Sequence, residues 1–372
     1  MKTMIYKYLS FFSLGIMLLA ALACGKEYSE EEPQAATGRV YIRLSGSTPS
    51  TKLDGVVYER DEKPVSHWTF FLFESSTGQL VYRETVNDSS GVERMLPTGS
   101  YELFAMGNYP TAGAYGVDVS AIITREQFLA LKAGLADNAP GAFVMAGNNS
   151  FTVEESASDE APQEISVRMK RLVAKLSLES VTRAFTSPSL ADKPLTLKHI
   201  YLTNVYGEAR YGSDYTASSL SGERSLWYNG GGWHREGSMA PSAAADLLTG
   251  ERNLNLTLPQ GETLSMGSSL YFYPNPLNPA DDSHAENWEG PRCTRLVLET
   301  QLDGKTYYYQ ATLPQNAECT AQVRNTAFSV SCTLTGLGST DPEQELPGGM
   351  ELQFRAEPGE GWDEDHSVTE ES

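Results

Sequence analysis

Two short clusters carry side chains able to bind a cation: Asp281, Asp282, His284 and Glu286, and later Asp363, Glu364, Asp365 and His366. Hard cations take several oxygen ligands at once, and neighbouring carboxylates can supply them. Both clusters sit in polar, turn-like sequence, so they read as solvated loops rather than coordination shells. Five histidines and four cysteines are scattered without any Cys-x-x-Cys pair, which argues against a structural zinc centre. No Gly-x-Ser-x-Gly elbow, His-Glu-x-x-His helix, P-loop or Gly-x-Gly-x-x-Gly turn is present. Acid, base and nucleophile do not converge anywhere along the chain. The expectation is a non-enzymatic protein without catalytic residues, metal or cofactor.

The residue with the clearest chemistry is Cys24. Lys2 and Lys7 precede an apolar run from Leu9 to Ala23, too short for a comfortable transmembrane helix and suited to an export signal. Ala21 and Ala23 lead into Cys24 in an arrangement that resembles a bacterial lipobox, with Ala21 where leucine is usual. A cysteine so placed is acylated and becomes the first mature residue. Two or three acyl chains anchor durably where one is marginal. Lys26, Glu27 and Glu30 to Glu32 follow, similar to the signal that sends Bacteroidota-type lipoproteins to the outer face of the outer membrane. Residues 1–23 thus read as a lipoprotein signal peptide and 24–38 as an acidic tether. An ordinary secretory signal and a plain solvated linker are the competing readings. The formal charge is −20, and the signal removes two lysines and no acid, which argues against a nucleic-acid partner. Cys293, Cys319 and Cys332 remain, an odd number, so no disulfide framework is built. A Cys319–Cys332 bridge and free buried thiols both stay open.

The rest of the sequence is written in short strands. In "RVYIRLSG", Val40, Ile42 and Leu44 alternate with Tyr41 and Arg43, the period of a half-buried strand. "HWTFFLFESSTGQLVYRE" reads as a hairpin turning at Ser75 to Gly78, and Tyr101, Leu103 and Ala105 mark another strand. One helix interrupts: Thr124 and Gln127 form a capping box, and Phe128, Leu131 and Leu135 make its apolar stripe. In "EISVRMKRLVAKLSLES", Ile165, Val167 and Met169 are odd-numbered, whereas Leu172, Ala174, Leu176 and Leu178 are even. One straight strand cannot bury both sets. The slip at Lys170–Arg171 therefore marks a bulge or a crossing between two cores, and the domain boundary is expected there. Further strands are expected at 195–205, 254–258, 270–273, 295–300, 305–313 and 326–334. A loop rich in aromatics, with Tyr206, Tyr211, Tyr215, Trp227, Tyr228 and Trp233, either plugs its own domain or stacks on sugars. The fold class is all-β, with two sandwiches and a short helix in the amino-terminal one.

Taken in order, several stretches resemble the fimbrillin family, the type V pilins of Bacteroidota. They are the lipobox and its acidic sequel, "VYIRLSGSTPSTK", "VRMKRLVAKLSL", "SLYFYPNP", "GKTYYYQATLP" and, most specific, "VRNTAFSVSCTLTGLGSTDPEQE". The resemblance implies two transthyretin-like Greek-key β-sandwich domains, here 39–169 and 170–372, and a structural role in a fimbrium (pilus). It also implies a cell-surface, outer-membrane lipoprotein palmitoylated at Cys24 and serving cell adhesion.

The family's assembly supplies the candidate site residues. A first strand, here Val40, Ile42 and Leu44, fills a groove until a surface protease removes it. A donor strand near 350–357 of the next subunit then takes its place by strand addition. Met350, Leu352 and Phe354 alternate with Glu351, Gln353 and Arg355 and suit that role; the competing reading makes this segment the last strand of its own domain. Maturation cleavage must fall after Leu44. The family's arginine is matched by Lys52, and the next arginine is Arg60. If neither bond is cut, the protein is expected as an anchor or tip accessory that keeps its first strand. The other alternative is a surface glycan-binding lipoprotein using Trp227 and Trp233. Expected partners are other fimbrial subunits, outer-membrane lipid, the surface protease and an adhesion ligand, host or bacterial.

Overall fold

The computed structural model describes residues 36–45, 65–87, 91–156, 161–214, 216, 219, 223–277, 293–313, 315–316, 319–320, 323–342 and 349–356. The chain is mostly β, arranged as two sandwiches. In the first, β1 (Thr37–Ser45) lies between β4 (Val92–Pro97) and β8 (Gln163–Arg168). The facing sheet runs in the order β3 (Leu80–Val86), β2 (Trp68–Glu74), β5 (Gly99–Gly107), β7 (Met145–Val153) and β9 (Lys170–Arg171). The expected hairpin is present, with β2 and β3 joined by a turn that Gly78 makes at a φ of 68°.

Alternation along β2 decides which core each ring enters. Trp68, Phe70 and Leu72 point into the sandwich with Val40, Ile42, Leu103, Ile165 and Val167. Phe71 and Phe73 point the other way, against Phe104 and Phe128. Both faces are buried, so β2 has the near-continuous apolar run of a central strand.

The second half of the chain holds β10 (Ala174–Arg183), β11 (Leu195–Thr203), β12 (Glu208–Arg210), β13 (Thr263–Phe272), β14 (Arg295–Leu302), β15 (Lys305–Thr312), β16 (Ala327–Leu334) and β17 (Met350–Ala356), and all of these but β12 build the second sandwich. One sheet has the order β13-β10-β16-β17; in the other, β14 lies between β11 and β15. Leu176, Leu178, Ile200, Leu202, Leu296, Leu298, Val330 and Leu334 pack between them.

The slip in hydrophobic phase has a structural cause. Met169 packs in the first core and Leu172 in the second, both 1% exposed. Between them β9 pairs with β7, and the Arg171 side chain is itself buried. Asn325 fixes this crossing: its Oδ1 accepts from the Arg171 backbone N–H at 3.1 Å and from Nη1 at 3.0 Å. Its own N–H donates to the Val173 carbonyl, from a left-handed backbone with φ of 61°. Asparagine tolerates that conformation better than most residues. The Arg-Asn pair of "VRNTAF" thus has a local role, and Arg324 beside it pairs with Asp214.

The helix differs from its expected length. Thr124 and Gln127 do form the capping box, but α1 spans only Arg125–Leu129. The chain then leaves helical geometry to form β6 (Lys132–Gly134), which pairs antiparallel with β12. Leu135 is buried in a 3-10 turn rather than in the helix. Tertiary strand pairing overrides local propensity here. Two further helices, α2 (Pro188–Ala191) and α3 (Ala243–Thr249), lie in the second half.

Candidate functional site: the first and last strands

Strand β1 is held from both sides. It runs antiparallel to β4, with Val40 opposite Arg94 and Ile42 opposite Val92. It runs parallel to β8, with Val40 opposite Gln163, Ile42 opposite Ile165 and Leu44 opposite Val167. Val40 and Ile42 are fully buried and Leu44 is 8% exposed. Burying three such side chains contributes roughly 5–9 kcal/mol at the usual value per residue. On the other face Arg39 pairs with Glu93, and Arg43 with Glu164 at 3.2 Å. These pairs are solvated and weak. Gly38 rests so close to the Glu154 carbonyl that a Cβ there would collide, which locks the entry of the strand.

Neighbouring strands lie about 4.8 Å apart, so without β1 the strands β4 and β8 would flank a slot roughly 10 Å across. The floor of that slot would be Phe70, Leu72, Leu103 and Ala105, with unpaired backbone groups along both walls. An apolar trench with two open ladders is a receptor for an extended segment.

Among the described residues, strand β17 lies at the edge of its sheet and pairs antiparallel with β16 alone, setting Met350, Leu352 and Phe354 opposite Leu334, Cys332 and Val330. Met350 packs partly against the second core. In this conformation the carboxyl-terminal strand closes its own sandwich, one of the two readings the sequence left open. It is held through one ladder where β1 is held through two.

Cys24, Lys52 and Arg60 lie outside the described residues, as do both acid–histidine clusters. Cys293 and Cys332 are buried and neither is in a disulfide. Burial pushes the Cys332 thiol up to about 12, far from a reactive thiolate at neutral pH. The aromatic loop mostly plugs its own sandwich. Trp227 is 2% exposed and packs with Tyr206, Leu277 and Cys293, so it offers no platform to a sugar. Trp233 is half-buried and stacks on Tyr201, with ring centroids 6.3 Å apart.

No protein-family model matches the sequence, and no curated protein matches it. Solved structures do. A fimbrilin from Porphyromonas gingivalis superposes with a TM-score of 0.55 at 14% identity, over 86% of this chain and 96% of that one. The fold is that of a fimbrilin. A candidate cell adhesion protein from Parabacteroides distasonis gives a TM-score of 0.56 at 13% identity, over 86% of this chain and 96% of its own. Another from Bacteroides eggerthii gives 0.55 at 14%, over 87% and 96%. The fold that this chain shares with each of the three covers 96% of the neighbour's own length.

Proposed function

We propose that this chain is a structural fimbrial subunit, exported as a lipoprotein acylated on Cys24 and displayed at the cell surface. Its two sandwiches, 39–169 and 170–372, act as domains that meet at Lys170–Arg171. Assembly follows from β1. A surface protease cuts after Lys52 or Arg60, β1 leaves, and β17 of a second copy enters between β4 and β8. The observation that carries this reading is the position of β1: a central strand of its sheet, apolar on one face, with Lys52 and Arg60 following it in the sequence. Arg39 and Arg43 precede Leu44, so a cut at either would leave buried residues of the strand in the groove.

The experiment is limited digestion of purified protein with a Lys- or Arg-specific protease, followed by electrophoresis in detergent with mild heating. Ladders of multimers are expected, and deletion of residues 347–372 abolishes them. A truncated protein that still forms ladders would sink the donor assignment. A second reading has its own support: Lys52 stands where the family arginine would be, and β1 is held by two ladders. Under it the protein is an anchor or tip accessory. Mass spectrometry of the cell-surface form separates the two, because only the accessory retains Val40 to Leu44.

A further inference from the structure

A groove of about 370 Å³ lies on the first sandwich, away from β1 and β17, between α1 and the strands β5 and β7. Its size is within the range of small-ligand sites. Register sets Glu102 opposite Ser150 and Phe104 opposite Asn148, which places these four residues together on one patch of the sheet. Arg125, Glu126 and Leu129 from α1 form the opposing wall. That wall is fixed: the capping box closes the helix start, and the Arg125 N–H donates to the Gly78 carbonyl at 2.8 Å.

The charges in the groove are spoken for. Arg125 donates to Glu102 at 2.8 Å and to Glu126 at 3.4 Å, and the Glu102 carboxylate in particular holds the guanidinium pKa above its ordinary value. No free cation is left for an anion, and a chain of charge −20 repels one at long range. Asn148 and Ser150 are exposed, and their amide and hydroxyl make no hydrogen bond among the described residues. Below them Phe104 shows only an edge, at 8% exposed, its ring backed by Phe128 at a centroid distance of 5.0 Å, and the half-buried Leu129 alongside supplies the rest of the apolar floor. An apolar floor rimmed by amide, hydroxyl and carboxylate groups matches a ring with one C–H face and an edge of hydroxyls. We infer that this groove binds a neutral saccharide.

The test is calorimetric titration of the full mature protein with cellobiose, maltose, lactose and diacetylchitobiose. Saturable binding of at least one is expected in the millimolar range or tighter. Asn148→Ala and Ser150→Ala should each weaken it about tenfold, the effect of one lost hydrogen bond. Ser150→Trp, which fills the groove, should abolish it. Both positions are solvent-exposed, so unchanged thermal melting of the variants confirms that folding is intact. Absence of saturation with all four sugars overturns the inference. So does binding that survives these substitutions, or preferential capture of an oligolysine peptide. Sugar binding and polymerisation are read separately, so either can fail alone.

Discussion

Asn325 combines two demands that few residues meet together. Its backbone is left-handed, and its amide oxygen receives the buried Arg171 twice. Asn325→Gly keeps the backbone and loses the amide acceptor, a charge-assisted interaction worth about 1.5–3 kcal/mol. Asn325→Ala adds strain of about 1 kcal/mol for a Cβ at positive φ. Denaturant unfolding should therefore rank wild type above Asn325→Gly, and that above Asn325→Ala. Asp137 offers a second test. Burial raises its carboxyl pKa above the ordinary 3.8, only partly offset by the Gly134 N–H it accepts at 2.7 Å. A folded-state value raised in this way stabilises the protonated form. The contribution is present below pH 3.8 and is lost as pH rises through the raised folded value. Wild type should thus gain stability relative to Asp137→Asn on acidification from neutrality. A melting-temperature difference between the two that does not change with pH would contradict the assignment.

Among the elements, β1 shows what alternation can and cannot reveal. Ile42→Ala removes a fully buried side chain and should cost about 2–5 kcal/mol. Arg43→Ala, on the solvated face, should cost no more than about 1 kcal/mol. Equal losses for the two in chemical denaturation would mean that the strand is not seated as described. That face assignment was legible in the sequence because Val40, Ile42 and Leu44 alternate with polar neighbours. The same signal gave the β2–β3 hairpin and, through its phase slip, the passage between cores at Lys170–Arg171. The parallel pairing of β1 with β8 was not legible, since no local pattern encodes a partner more than a hundred residues away. Helix α1 was read too long because Leu131 and Leu135 keep helical spacing, yet the chain between them is drawn into pairing with β12. Helix α3 was missed, although Ser242 does cap it by accepting from the Ala245 N–H. The saccharide groove was invisible because its residues come from three separate elements.

Across the whole molecule, the two-stranded ribbon of β6 and β12 joins segments from the two halves of the chain. Glu208 on β12 is buried, and it receives Lys132 from β6 and the Tyr115 hydroxyl at 3.4 Å. Burial, followed by the nearby Glu208 carboxylate, pushes the Tyr115 phenol up to about 12, and burial does the same to Tyr309 in the second core. Both side chains would ionise near 10 in an unfolded chain. Their stabilising contribution is complete below pH 10 and is lost as pH rises toward 12. Alkaline unfolding should therefore accompany tyrosinate formation in that window, monitored by near-ultraviolet absorbance. Tyr115→Phe together with Tyr309→Phe should move the transition to higher pH.

The two-sided seating of β1 also sets an order of events. Residue 42 meets residue 165, 123 positions further along the chain. A polypeptide emerging amino terminus first cannot complete this ladder until about a third of its length has followed. Strand β1 is therefore the first strand of its sheet to be made, and until β8, the last strand of that sheet, has emerged it can hold only its ladder with β4.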